Sequence, residues 1–133
     1  MSSLETLRAF FKQGFDRGLA GMELLEAEQG RAVAEIEVSE AVQNPVGTLH
    51  GGAIATLVDD VGTIAIMTID REGRPGVTTD LNVSYLRAAL PGERVRVEAE
   101  TLRCGRTLAF VEVELSVAGK RIARGRMTKF MGR

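Results

Sequence analysis

Cysteine occurs once in the chain, at Cys104. No disulfide can close within it, and a reducing, cytoplasmic setting is the expectation. Histidine also occurs once, at His50. That excludes a multi-histidine metal centre, and no carboxylates stand beside His50 at ligand spacing, so no metal and no other cofactor is expected. No Gly-x-Ser-x-Gly elbow offers a serine nucleophile, and no P-loop or Gly-x-Gly-x-x-Gly turn is present to wrap a phosphate. Excess charge is missing as well: a formal net charge of -1 gives no pull toward nucleic acid or an anionic membrane. Met1 to Phe15 is interrupted by Glu5, Arg8 and Lys12 and lacks the apolar centre of a signal peptide. No run of roughly 18 apolar residues stands out as a membrane span.

What is present describes one ordinary globular domain over residues 1–133, with 44% hydrophobic and 26% charged residues. Arginine outnumbers lysine by 14 to 3. Its forked guanidinium suits phosphate, a first hint of a phosphorylated ligand. Leu4, Leu7, Phe10, Phe11 and Phe15 recur at helical steps and predict a short N-terminal helix within residues 1–18, ending near Gly14 or Gly18. Ala32, Ala34, Ile36 and Val38 alternate with Val33, Glu35 and Glu37, which predicts a strand.

Asn44, Pro45 and Gly47 mark a loop, after which Gly51 to Ile69 is apolar on nearly every side. A helix of that composition belongs in an interior. Four more strands follow, at Val77–Leu86, Arg94–Leu102, Thr107–Val117 and Arg121–Met131. One buried helix and a run of antiparallel strands predict the α+β class, with an antiparallel sheet curled around the helix in the hotdog arrangement; a plain two-layer α+β domain is the alternative.

Asp59 and Asp60 lie in the middle of that apolar helix, where a carboxylate needs a partner or a purpose. Ala55, Thr56, Gly62 and Thr63 surround Asp59 at helical spacing and leave room for a substrate, whereas Asp60 lies beside Leu57, Ile64 and Thr63. The alternative is that both carboxylates bond backbone or face a subunit boundary. On the approach to the helix, Asn44 to Gly52 ends in glycines, and the amide of Gly51 or Gly52 at the positive end of the helix dipole suits a developing oxyanion. From Gly51 to Asp59 is eight helical steps, about 12 Å, too far for both to act on one carbonyl. If both serve one reaction, a second subunit must supply one of them.

His50 reads either as part of that site or as a cap. Cys104 reads as structural. Arg103 and Arg106, flanking Gly105, and Arg87 are candidates for phosphate, although charged protection of a strand edge explains them equally well.

The run Asn44 to Asp59, N-P-V-G-T-L-H-G-G-A-I-A-T-L-V-D, resembles the signature of the PaaI-type hotdog acyl-CoA thioesterases. Pro75 to Leu86 and Gly105 to Phe110 are similar to the same family, in particular its eukaryotic thioesterase-superfamily branch. The resemblance implies hydrolysis of an acyl-CoA, with Asp59 as general base or nucleophile, the Gly51 amide polarising the carbonyl, Asn44 positioning water or substrate, and His50 ordering the loop. Thr78 falls where relatives carry a serine that places the attacking water, with Thr79 adjacent to it. Tyr85, Leu86, Arg87 and Ala88, and Arg103, Cys104, Gly105, Arg106 and Thr107, match segments that grip coenzyme A; Ala88 stands where the family often has proline. The implied assembly is a homodimer with shared sites, and a homotetramer as a dimer of dimers. A hotdog enoyl-CoA hydratase or dehydratase, and a non-catalytic acyl-CoA-binding module, are the rival readings.

Overall fold

The computed structural model describes residues 3–19 and 21–132. Six antiparallel strands form one sheet: β1 (Glu23–Glu28), β2 (Arg31–Glu37), β3 (Val77–Tyr85), β4 (Arg94–Cys104), β5 (Leu108–Val117) and β6 (Lys120–Phe130), in the order β1-β2-β4-β5-β6-β3. The sheet wraps around α2 (Gly51–Ile69), whose bounds match those read from the sequence. This is the hotdog arrangement.

α2 is apolar on nearly every side because most of it is enclosed: Leu57, Val58, Val61, Ile64, Ala65 and Ile66 are fully buried. Its 19 residues are, contrary to the reading of the sequence, long and apolar enough to cross a bilayer by length and composition, but here that surface is the core of a wrapped sheet. Close approach of helix and sheet depends on two missing side chains. A Cβ on Gly125 of β6 would lie 2.7 Å from a Val58 methyl, and one on Gly62 would lie 2.8 Å from the Met127 methyl.

On β4, Val95, Val97 and Ala99 face the helix while Arg94, Arg96, Glu98 and Glu100 face away. Arg31, Arg94, Arg96, Arg121 and Arg124 pair with glutamates across this wet face, half-exposed pairs that each add little stability. Val33, which the alternation assigns to the wet side, is instead buried: it lies between Glu26 and Glu98 in the ladder, and Arg31 bridges those two carboxylates.

One expectation needs correction. The N-terminal helix is shorter than its apolar spacing predicts, because α1 stops at Phe10 and a separate 3-10 turn, Gly14–Leu19, follows. Gly14 has φ +60°, which no continuous right-handed helix allows. Leu7, Phe11 and Leu19 still reach the core, whereas Phe15 is 86% exposed.

The strand read at Val77–Leu86 is β3, which ends one residue earlier; among the described residues it is an edge strand, hydrogen-bonded to β6 on one side only, and Val77, Leu81 and Tyr85 are all exposed on it. A nine-residue strand with a free edge is a template for another chain.

Candidate active site

The loop before α2 is built by Asn44 and His50. Asn44 Oδ1 accepts from the amides of Val46 (3.1 Å) and Thr48 (3.0 Å), and its Nδ2 donates to Thr48 Oγ1 at 2.7 Å. A bridge between Gln43 and Leu49 and the bond from the His50 amide to Val42 O close the loop. His50 is the N-cap of α2: its Nδ1 accepts the Gly52 amide at 2.8 Å. With the Gly52 amide used in this way, the Gly51 amide has no acceptor among the described residues and lies at the positive end of the helix. Tyr85 of β3 donates its hydroxyl to Gly51 O at 2.8 Å. The end of β3 is thereby fastened to the start of α2.

Two turns further along α2, half-buried Asp59 accepts a hydrogen bond from Thr78 Oγ1 at 2.8 Å. Thr79 does not compete, since its hydroxyl turns to Thr128 O at 3.3 Å. A slip in the β3–β6 ladder between Thr78 and Asp80 decides between the two threonines. Thr78 and Tyr85 are seven residues apart, an odd separation that in a regular strand would put them on opposite faces. The bulge restores both to the side facing α2.

Asp60 is only 4% exposed, and its Oδ2 finds no donor among the described residues. Burial first, then the Asp16 carboxyl within hydrogen-bonding reach, then the charge of Asp59 push its pKa up to about 9, against an opposing pull from Lys129. Asp60 therefore holds a proton at neutral pH. Asp16 and Lys129 escape a reading by local pattern. The signal for Lys129 is its parity in β6, which places it on the buried side with Met127 and Met131.

The two segments expected to grip coenzyme A lie at opposite ends of α2. Tyr85, Leu86, Arg87 and Ala88 are exposed at the Gly51 end. Arg103 to Thr107 form the β4–β5 hairpin at the far end, roughly 27 Å along the helix axis. There Asp70, the C-cap of α2, is gripped by Arg74 through two bonds (2.9 and 3.1 Å), and Arg74 also donates to Met131 O at 2.8 Å. The Arg74 guanidinium holds the Asp70 carboxyl well below the usual carboxylate range. Cys104 Sγ is 3.8 Å from Asp70 Oδ1, and burial raises its pKa, so it is a packed thiol of this corner and not a nucleophile. One chain does not bring the two segments together, just as it does not bring Gly51 to Asp59.

Comparison with known proteins matches a thioesterase superfamily model to residues 46–123. The chain belongs to the thioesterase superfamily. It is 44% identical over 131 residues to acyl-coenzyme A thioesterase 13 of Mus musculus, covering 96% of this chain and 93% of that protein. The crystal structure of zebrafish thioesterase superfamily member 2 superposes with a TM-score of 0.93 at 45% identity, over 99% of this chain and all of that one. A variant of the phenylacetic acid degradation protein PaaI from Thermus thermophilus gives a TM-score of 0.79 at 30% identity, over 89% of this chain and 98% of that one. These likenesses establish a PaaI-type hotdog thioesterase. Gly51, Asp59, Thr78 and Tyr85 all fall inside the segment matched to the superfamily; Asp16 and Lys129 fall outside it.

Proposed function

We propose that the chain hydrolyses acyl-CoA thioesters to a carboxylic acid and free coenzyme A, in a site shared by two protomers. The observation that carries the reading is that both halves of the chemistry are tied to one free strand. Thr78 near one end of β3 holds Asp59, and Tyr85 at the other end holds Gly51. Two copies of β3 pairing edge to edge and antiparallel, about an axis near Leu81 and Asn82, set Thr78 of one chain opposite Tyr85 of the other. The partner's Asp59 then approaches the Gly51 amide. The same pairing brings the partner's Arg103–Thr107 hairpin toward Tyr85 to Ala88, which supports one coenzyme A spanning both chains. By family resemblance, two such dimers assemble into a homotetramer.

In this site the Gly51 amide donates to the thioester oxygen, and Asp59 takes a proton from water as the hydroxyl adds to the carbonyl carbon. Collapse of the tetrahedral adduct breaks the C–S bond, and Asp59 returns the proton to the departing thiolate. Thr78 orients the carboxylate, and the Asn44 loop with its His50 cap fixes the amide. Direct attack by Asp59 through an anhydride uses the same geometry.

The sharing is tested by mixing two inactive proteins. Gly51→Pro deletes the free amide at a helix position that tolerates proline, and His50 already has the extended backbone (φ -61°, ψ 133°) that a following proline requires. Asp59→Asn deletes the base. Each alone is expected to release thiol very slowly. Unfolded and refolded together in equal amounts, they should regain about one quarter of wild-type activity, since half the dimers are mixed and each mixed dimer has one intact site. No recovery, with mixed dimers demonstrated by mass spectrometry, would sink the shared site. Replacing Arg103 and Arg106 together by Ala should raise KM roughly tenfold and leave kcat within about threefold, the pattern of lost phosphate contacts; an unchanged KM removes the hairpin from the binding of coenzyme A.

A further inference from the structure

A cavity of about 270 Å³ lies where three segments meet: the 3-10 turn Gly14–Leu19, the residues around Val42, and the first two turns of α2. Its lining runs from buried Leu19 and Val42, past Ala53 and Thr56 of α2, to Phe15, which is 86% exposed and stands at the rim. Polar side chains on the lining are already engaged. The Thr56 hydroxyl donates to Gly52 O at 2.7 Å, His50 Nδ1 accepts the Gly52 amide at 2.8 Å, and Gln43 Nε2 donates to Val38 O at 3.2 Å. Among the described residues, no lysine or arginine lines the cavity. What it offers is hydrocarbon surface, which suits an alkyl chain and not a phosphate or a carboxylate.

The place of the cavity matters as much as its lining. His50 and Gly52 are part of it and flank Gly51, whose amide is assigned to the thioester oxygen. Val42 O accepts the His50 amide at 2.8 Å, which fastens the cavity to the start of α2. On the other flank, a Cβ on Gly51 would lie 3.6 Å from the Tyr85 ring, and Tyr85 does not line the cavity. One side of Gly51 thus leads to the Tyr85 to Ala88 segment expected to hold coenzyme A, and the other leads into apolar space. The carbonyl of an acyl-CoA has the same two sides, sulfur on one and a carbon chain on the other.

We propose that this cavity receives the hydrocarbon tail of the acyl group, and that the turn Gly14–Leu19, with Phe15 at the rim, sets the chain length the protein prefers. The inference rests on the hydrolase reading and deepens it with residues outside the superfamily segment, since Phe15, Leu19 and Val42 all precede residue 46. A cavity of about 150 Å³ takes one benzene molecule, so one of about 270 Å³ takes roughly ten carbons. A longer chain leaves the cavity past Phe15 and gains little. A singly exposed phenylalanine needs no explanation by itself. Beside such a tail it becomes apolar cover, carried there by the turn that Gly14 opens at φ +60°.

The test reads a ratio, because general damage lowers all substrates alike. In wild type, kcat/KM for thiol release should rise about threefold per added methylene from butanoyl- to decanoyl-CoA, and level off beyond roughly twelve carbons. Ala53→Leu places a branched side chain in the cavity and should lower the decanoyl-to-butanoyl ratio by about tenfold or more. Phe15→Ala, at an exposed position, should lower it by about threefold and serves if the leucine variant folds poorly. Decyl-CoA, a thioether that cannot be hydrolysed, should bind more tightly than butyl-CoA by calorimetry, and the same variants should narrow that difference. A ratio unmoved in either folded variant, or equal affinity of wild type for the two thioethers, overturns the inference. A wild-type protein that releases no thiol from any acyl-CoA defeats the hydrolase reading instead, and the thioether affinities still decide whether the cavity holds the tail.

Discussion

Asp59→Asn is expected to lower kcat for thioester hydrolysis by about 10²- to 10⁴-fold, the range a positioned general base supplies, with KM changed by less than about threefold. Asparagine keeps the size of the side chain and an Oδ1 that can accept the Thr78 hydroxyl, now 2.8 Å from Asp59, so β3 and α2 stay fastened. What is lost is the basicity. The internal control is the neighbouring carboxyl: Asp60→Asn should retain most of the turnover, because Asp60 takes no hydrogen bond from Thr78 and is buried beside Asp16. If Asp60→Asn rather than Asp59→Asn removed turnover, the roles assigned to the two would have to be exchanged. If Asp59→Asn kept wild-type kcat, the carboxylate mechanism would be wrong.

How far the sequence reveals this depends on whether the deciding interaction is local. α2 is legible to the residue because its signals are consecutive: a Gly-rich loop, a capping histidine, then a long, mostly apolar run. The separation of Gly51 from Asp59, on which the proposed shared site rests, is legible too, since helical rise fixes it. The choice between Thr78 and Thr79 is not, because the bulge that turns Thr78 inward is a property of the β3–β6 register and leaves no mark in the strand's composition. The break after Phe10 is partly legible in Gly14, but apolar spacing alone carries the helix past it. Least legible is the charge cluster. Asp16, Asp60 and Lys129 come from three distant segments, and each looks ordinary where it stands. Asp60 looks like a second candidate for the same job until the burial around it is known.

That burial carries a stability consequence of definite sign. The folded chain holds the Asp60 proton up to about pH 9, whereas the ordinary value is 3.8. Between those limits the unfolded chain gives up a proton that the folded chain keeps, so the contribution of Asp60 is fully present below about pH 4 and is lost progressively as pH rises toward 9. Asp60→Asn is a permanent mimic of the protonated form. Calorimetric melting at fixed protein concentration should therefore show the variant close to wild type at pH 5 and ahead of it at pH 8 to 9, by on the order of 5 °C. Asp16→Asn should recover only part of that gain, because it removes the acidic neighbour and leaves the larger cause, burial, in place. A difference between Asp60→Asn and wild type that stays constant with pH would mean that Asp60 is ionised in the folded protein. In that case Lys129 would be its counter-ion.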